Sequence, residues 1–241
     1  SLVNFLGQLK DAGLGSLPGT AAEILDDEIR AIICADKITT AQWVEVMETA
    51  HGLGIKTTST IMYGHVEAPR HWARHLLRLR KLQARTGGFT EFVPLPFVHM
   101  EAPIYLKGNA RKGPTYREAI LMHAVARLAL NPHITNIQTS WVKMGPDGAK
   151  ACLRAGANDL GGTLMNETIT RSAGATWGQE MPPAAMLNLI TDIKRIPEQR
   201  STLYGTVASE RIATALAAQP LQETVNNAPK RIKNMSVNHA R

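Results

Sequence analysis

Cysteine is almost missing from this chain of 241 residues: Cys34 and Cys152 stand alone and far apart. They offer neither a disulfide framework nor the clustered thiolates of a zinc or iron–sulfur site, and read as buried apolar fillers. No apolar run approaches the ~20 residues that a membrane span requires. The opening "SLVNFLGQLKDAG" lacks the basic flank and apolar core of a signal peptide, so a soluble cytoplasmic protein with no membrane partner is expected. From Thr206 to Arg241 there is no aromatic residue, although that stretch holds five Lys or Arg against two Glu. A nucleic-acid surface built on stacking has nothing to work with there, and no nucleic-acid partner is expected.

What is present is a chain 44% hydrophobic with a net charge of +7, enough to bury one sizeable α/β domain. The densest basic segment, "PRHWARHLLRLRKLQAR", places Arg70, Arg74, Arg78, Lys81 and Arg85 on one helical stripe and Trp72, Leu76 and Leu79 on another. That is a solvated outer helix face. His71 and His75 on the same helix have the spacing of two metal ligands, but no third ligand or accompanying Glu completes the motif, and no metal is assigned.

Short strand-like runs alternate with amphipathic ones. The candidate strands are Gly15 to Leu17, Lys56 to Met62, Phe89 to Leu95, Asn136 to Val142 and Asp159 to Gly162. Thr20 with Glu23, Thr39 with Gln42 and Thr115 with Glu118 have capping-box spacing, and Pro69 and Pro146 suit first-turn positions. The alternation predicts parallel strands with helical crossovers. Five strands are too few for an eight-stranded barrel, so an incomplete (βα) barrel missing its amino-terminal strands is expected over residues 1 to 205. Residues 206 to 241 are expected to form a polar basic tail, a peripheral helix that then frays.

Ligands of parallel α/β folds gather at the carboxyl ends of the strands, where loops and helix amino termini converge. The segments there are "YGHVE", "PLPFVHMEAPIYLKG", "VKMGPDG" and "GANDLGGTLMNE". Along the second strand, alternation sends Thr58, Thr60 and Met62 to one face, expected to be the interior, and Ser59, Ile61 and Tyr63 to the other. Gly64 can be turn punctuation or a point of close backbone approach. His65 and Glu67 can meet ligand hydroxyls or cap the helix at Pro69. Glu91 is a carboxylate in an apolar strand, free to pair with a ligand cation or with an arginine of a neighbouring helix. Gln138 and Ser140 form a polar pair on one face, satisfied by a ligand, a water or a buried network. Asn158 and Asp159 open the last strand, and Gly161 and Gly162 let a ligand approach the backbone.

"LPGTAAEIL", "TSTIMYGHVE", "RTGGFTEFVPLPFVH", "APIYLKG" and "NDLGGTLMNE" together resemble, in order and spacing, the carboxy-terminal part of the radical S-adenosylmethionine enzymes of the FO synthase family, second-subunit type. Related radical synthases of the menaquinone pathway share the "YGH.E", "TGGF" and "NDL.GT" types of segment, whereas "FTEFVPLPFVHMEAPIYLKGNARKGPTYRE" favours the deazaflavin branch. The resemblance implies a radical transferase joining the 4-hydroxybenzyl group of L-tyrosine to 5-amino-6-(D-ribitylamino)uracil in coenzyme F-420 biosynthesis, with the partner FO synthase subunit as a further candidate partner. It implies two cofactors, S-adenosyl-L-methionine and a 4Fe-4S cluster held by a C-x3-C-x2-C loop. No such loop occurs here, so the cluster ligands are expected upstream and the chain alone is expected to be inactive, since no side chain replaces that electron donor. On the resemblance, Thr60, Gly64, His65 and Glu67 would line the cofactor, and Glu91, Gln138, Ser140, Asn158 and Asp159 the substrates. A cluster-free binding or assembly module is the remaining alternative.

Overall fold

β-Branched and aromatic runs supply the strands, and capped amphipathic runs supply the helices laid against them. The computed structural model describes residues 1–164 and 166–221. In chain order the first half comprises α1 (Leu2–Asp11), β1 (Ser16–Leu17), α2 (Asp27–Ile33), α3 (Thr40–Gly52), β2 (Lys56–Tyr63), α4 (Pro69–Thr86) and β3 (Phe89–Pro96). The second half is helical: α5 (Pro103–Leu106), α6 (Tyr116–Leu130), α7 (Trp141–Arg154), α8 (Ile169–Ser172), α9 (Pro183–Asp192) and α10 (Ser209–Ala217). The three strands pair in parallel in the order β1-β2-β3. Single parallel bridges, Phe92 to Ile137 and Gln138 to Asp159, extend the sheet by two more rungs. The chain is therefore α/β with parallel strands, as its alternation predicts.

Two expected strands shrink to those bridges. Ser140 is already the N-cap of α7, so Trp141 and Val142 belong to a helix, and Gly161 at φ +73° leaves the extended region just after Asp159. The expected helix start at Thr20 and Glu23 is also absent. Ala21 and Glu23 have φ of 62° and 40°, and the Glu23 carbonyl accepts from Met62 N at 2.9 Å, so this stretch lies along the end of β2 and the helix waits until Asp27. The other two capping boxes form, at Thr39–Gln42 and Thr115–Glu118, and Pro69 opens α4. Gly145 (φ 67°, ψ 173°) breaks α7, and Pro146 begins its second segment. Thr115→Ala should lower stability by about 1 kcal/mol in a denaturant melt, because it deletes the acceptor of Glu118 N.

The main core lies between the sheet and its helices, joining Ile61, Tyr63, Phe92 and Ile137 to Leu76 and Leu79 of α4 and Met122 and Leu130 of α6. Along β2, Thr57, Ser59, Ile61 and Tyr63 are buried, whereas Thr58, Thr60 and Met62 are half-buried on the opposite, helix-free face. That face carries the features considered below. The segment expected to be a tail contributes α10, and residues 222–241 lie outside the described residues. Among the described residues no helix is long and apolar enough to cross a membrane.

Candidate functional site

The turn after β2 is closed from within. Glu67 is buried, and its carboxylate accepts from Gly64 N, from His65 N at 2.9 Å and from Trp72 Nε1 at 2.8 Å. The buried His65 ring lies between Met62 O, 3.0 Å from Nε2, and Glu67 Oε2, 3.0 Å from Nδ1. Burial alone would raise the Glu67 pKa, but the His65 ring and the Gly64 N–H outweigh it and hold the carboxyl well below the ordinary range. Gly64 has φ +97°, and a Cβ there would come within 2.2 Å of Pro114 Cδ. The close approach that requires a glycine is thus made by the chain's own Pro114. Arg111 N donates to His65 O at 2.9 Å, completing a clasp between the end of β2, α4 and the loop before α6. Thr60 is engaged too, its hydroxyl donating to Gly19 O at 2.7 Å. The polar groups of Thr60, His65 and Glu67 are therefore used inside the chain.

A second cluster gathers on the helix-free face, toward the amino ends of the strands. Glu91 is the third residue of β3, and Gln138 Nε2 donates to its Oε2 at 3.1 Å. Arg200 reaches both carboxylates, with Nη2 3.3 Å from Glu91 Oε2 and Nε 2.6 Å from Asp159 Oδ2. The Tyr204 hydroxyl also meets Glu91 and Asp159, and the Arg200 guanidinium stacks 4.0 Å above its ring. One phenol proton serves two carboxylates, and burial first of all pushes the Glu91 pKa up. Glu91 thus finds an arginine, though from the segment after α9 rather than from a helix. Arg200 and Tyr204 escape sequence reading because they sit 109 and 113 residues from Glu91 in a segment without periodicity. In parallel α/β architectures the amino-end face serves stability rather than chemistry, and this closed group, in which one guanidinium serves two carboxylates, fits that role.

Above it, toward the carboxyl ends, lies a cavity of about 120 Å³ lined by Gln138, Ser140, Trp141, Gly161 and Gly162, with Arg200 at its base. Trp141 Nε1 donates to Gly162 O at 2.9 Å and fixes the wall. Ser140 caps α7 without a side-chain cap bond, which leaves its hydroxyl to the cavity. Gln138 and Ser140 therefore line one cavity, while Asp159 belongs to the Arg200–Tyr204 group. Asn158 does not join them: its Oδ1 accepts from Arg127 Nη2 and Ile137 N, both at 2.8 Å, which splices α6 to the sheet.

Nδ1 of His71 accepts from Ala68 N and Nδ1 of His75 from Leu25 N, so each neutral ring carries its proton on Nε2. Asp26 and Glu28 offer oxygens within 4.8 Å of a ligand atom of His71, but Nδ1 is taken by Ala68 N, and a protonated Nε2, here buried without a hydrogen-bond partner, has no lone pair for a metal.

The CofH/MqnC C-terminal region family matches residues 86–211, just over half of the chain. The chain belongs to that family. The matched span contains Glu91, Gln138, Asp159, Arg200 and Tyr204 together, and excludes the Gly64–Glu67 turn. Among curated relatives, the FO synthase of Streptomyces coelicolor is 56% identical over 211 residues, covering 88% of this chain and 24% of that protein. The FO synthase of Mycobacterium tuberculosis is 51% identical over 209 residues, covering 87% of this chain and 24% of the relative. The 5-amino-6-(D-ribitylamino)uracil–L-tyrosine 4-hydroxyphenyl transferase of Methanothermobacter thermautotrophicus is 54% identical over 199 residues, covering 83% of this chain and 54% of the relative. The chain thus spans between a quarter and about half of the length of these relatives.

Proposed function

We propose that this chain is the substrate-holding part of a radical S-adenosylmethionine transferase of FO synthase type, acting on L-tyrosine and 5-amino-6-(D-ribitylamino)uracil. The observation that carries the reading is the 54% identity, over 199 residues, to a relative named for that transfer. The parallel sheet supports an incomplete βα barrel over residues 1 to 205, with the helix-free face as its interior. On this reading Gln138 and Ser140 offer polar contacts to a substrate, Gly161 and Gly162 allow close backbone approach, and the Arg200–Tyr204 group closes the amino end. The chain's own contribution is to position reactants and keep water from them.

The 4Fe-4S cluster that the family implies does not fit the residues present. Cys34 closes α2 and Cys152 lies within α7; both are buried, and burial pushes the Cys152 thiol up to about 11, the reverse of what a thiolate ligand needs. The cluster ligands belong, on this reading, to a part of the enzyme beyond these residues. Nor do Thr60, His65 and Glu67 offer S-adenosylmethionine a free polar group.

A chimera in which residues 1 to 205 replace the matching segment of the Methanothermobacter relative tests the reading. It should form 5'-deoxyadenosine and a tyrosine-derived adduct only when L-tyrosine and 5-amino-6-(D-ribitylamino)uracil are both supplied. The matched family also covers a menaquinone-pathway type, so turnover of a futalosine-type or chorismate-derived compound instead would assign the chain there. A folded chimera inert toward all of them would leave the binding or assembly module.

A further inference from the structure

Among the described residues Lys81, Lys107, Lys112 and Lys194 lack an oxygen partner but are exposed, and others hold one. Lys37 holds Glu23, Lys150 holds Asp192, and Lys10 and Lys56 donate to backbone carbonyls. Lys143 differs. It lies in the short first segment of α7, directly after the cavity-lining Ser140, Trp141 and Val142 and before the break at Gly145, on the carboxyl side of the sheet. Its side chain is largely removed from water, yet among the described residues it has neither a hydrogen bond nor an ion pair. Among the described residues its one acidic neighbour is Glu167, whose oxygens are already engaged by the backbone N–H and hydroxyl of Thr170. Residues 167 to 178 cover this segment: an added Cβ on Gly145 would meet Trp177, and one on Gly178 would meet both Val142 and Glu167. A cation left without a counterion in such a place costs stability unless something else neutralises it.

We propose that Lys143 is the anion-recognition residue of this site, receiving the carboxylate of an α-amino-acid ligand beside the Ser140–Gly162 cavity. The inference rests on the transferase reading for the identity of that ligand, L-tyrosine, and on the geometry alone for its charge. Burial holds the Lys143 ammonium below its ordinary pKa, the condition that an arriving carboxylate reverses. A lysine suits the task because its ammonium is a compact charge on a flexible stem, able to follow one carboxylate oxygen.

The test uses the whole chain with its lysines reductively methylated with carbon-13, the Lys143 signal being identified by its loss in Lys143→Arg. L-Tyrosine should move that signal, and tyramine, which lacks only the carboxylate, should leave it in place. Lys143→Met should weaken tyrosine binding roughly ten-fold or more. It should also melt no lower than the parent, because removing an unpaired, half-buried charge relieves a penalty. A shift caused by S-adenosyl-L-methionine and not by tyrosine would keep the proposal and assign the carboxylate to the methionine end of the co-substrate. A shift caused by acetate, with tyrosine and S-adenosyl-L-methionine no better at equal concentration, would keep the anion site while removing its support for the transferase reading. The proposal is overturned if no carboxylate moves the signal, if tyramine moves it as far as tyrosine does, or if Lys143→Met melts several degrees lower.

Discussion

Glu67→Gln should lower the melting temperature of this chain by on the order of 10 °C, corresponding to roughly 3 kcal/mol. The carboxylate is an acceptor only, and the backbone N–H groups of Gly64 and His65 and the indole N–H of Trp72 all point at it. A glutamine replaces one of those acceptor oxygens with an NH2 group. At least one buried donor then faces another donor, which costs the full desolvation of that group. Sequence placement alone suggests the opposite balance, a large loss of turnover and a small loss of stability, because Glu67 sits just past a strand's carboxyl end. The closed geometry reverses it. The pH dependence follows with its sign: the folded pKa lies below the ordinary 4.5, so this stabilisation is fully present above that value and is lost as pH falls beneath it. Thermal melts of parent and variant at neutral pH and in acid check both statements. Unchanged melting with a selective loss of ligand binding would return Glu67 to a ligand role.

Arg200→Ala should cost about 3 to 5 kcal/mol, the largest single loss expected from a side chain on the helix-free face. The guanidinium is the only cation in contact with Glu91 and Asp159 among the described residues, and it also covers the Tyr204 ring. Without it, two carboxylates share Tyr204 and Gln138 with no counterion, and the Glu91 pKa, already raised by burial, should rise further. A second substitution gives the internal control. Glu91→Gln in the Arg200→Ala background should recover part of the loss, because it removes one of the two stranded charges. Denaturant melts of the four proteins in that cycle measure the coupling. If Arg200→Ala proves neutral, or the double variant is as unstable as the sum of the singles, Arg200 is not acting as the shared counterion of the two carboxylates.

The sequence by itself determined the class of the fold. Strand-like runs at Lys56, Phe89 and beyond, separated by capped helices, leave only a parallel α/β arrangement, and two capping boxes appear where their Thr–x–x–Gln or Thr–x–x–Glu spacing puts them. These signals are local: an N-cap oxygen reaches a backbone N–H three residues away, and alternation sorts side chains between two faces, whatever the rest of the chain does. The same locality misled at Thr20. There the spacing was right, but Met62 claimed the Glu23 carbonyl from 39 positions away, and Ile24 and Leu25 became fully buried in a non-helical stretch. Only the tertiary structure decided what the polar residues do. Glu67 and Glu91 read alike in sequence, as carboxylates near strands, yet one is clasped by its own turn and the other is neutralised by Arg200 from over a hundred residues on. Nothing in the spacing of Lys143 marked it, because what distinguishes it is the lack of a partner, and that depends on where every other charge has been placed. A buried charge is satisfied or left wanting by atoms adjacent in space, and adjacency in space is settled by the packing of the whole chain.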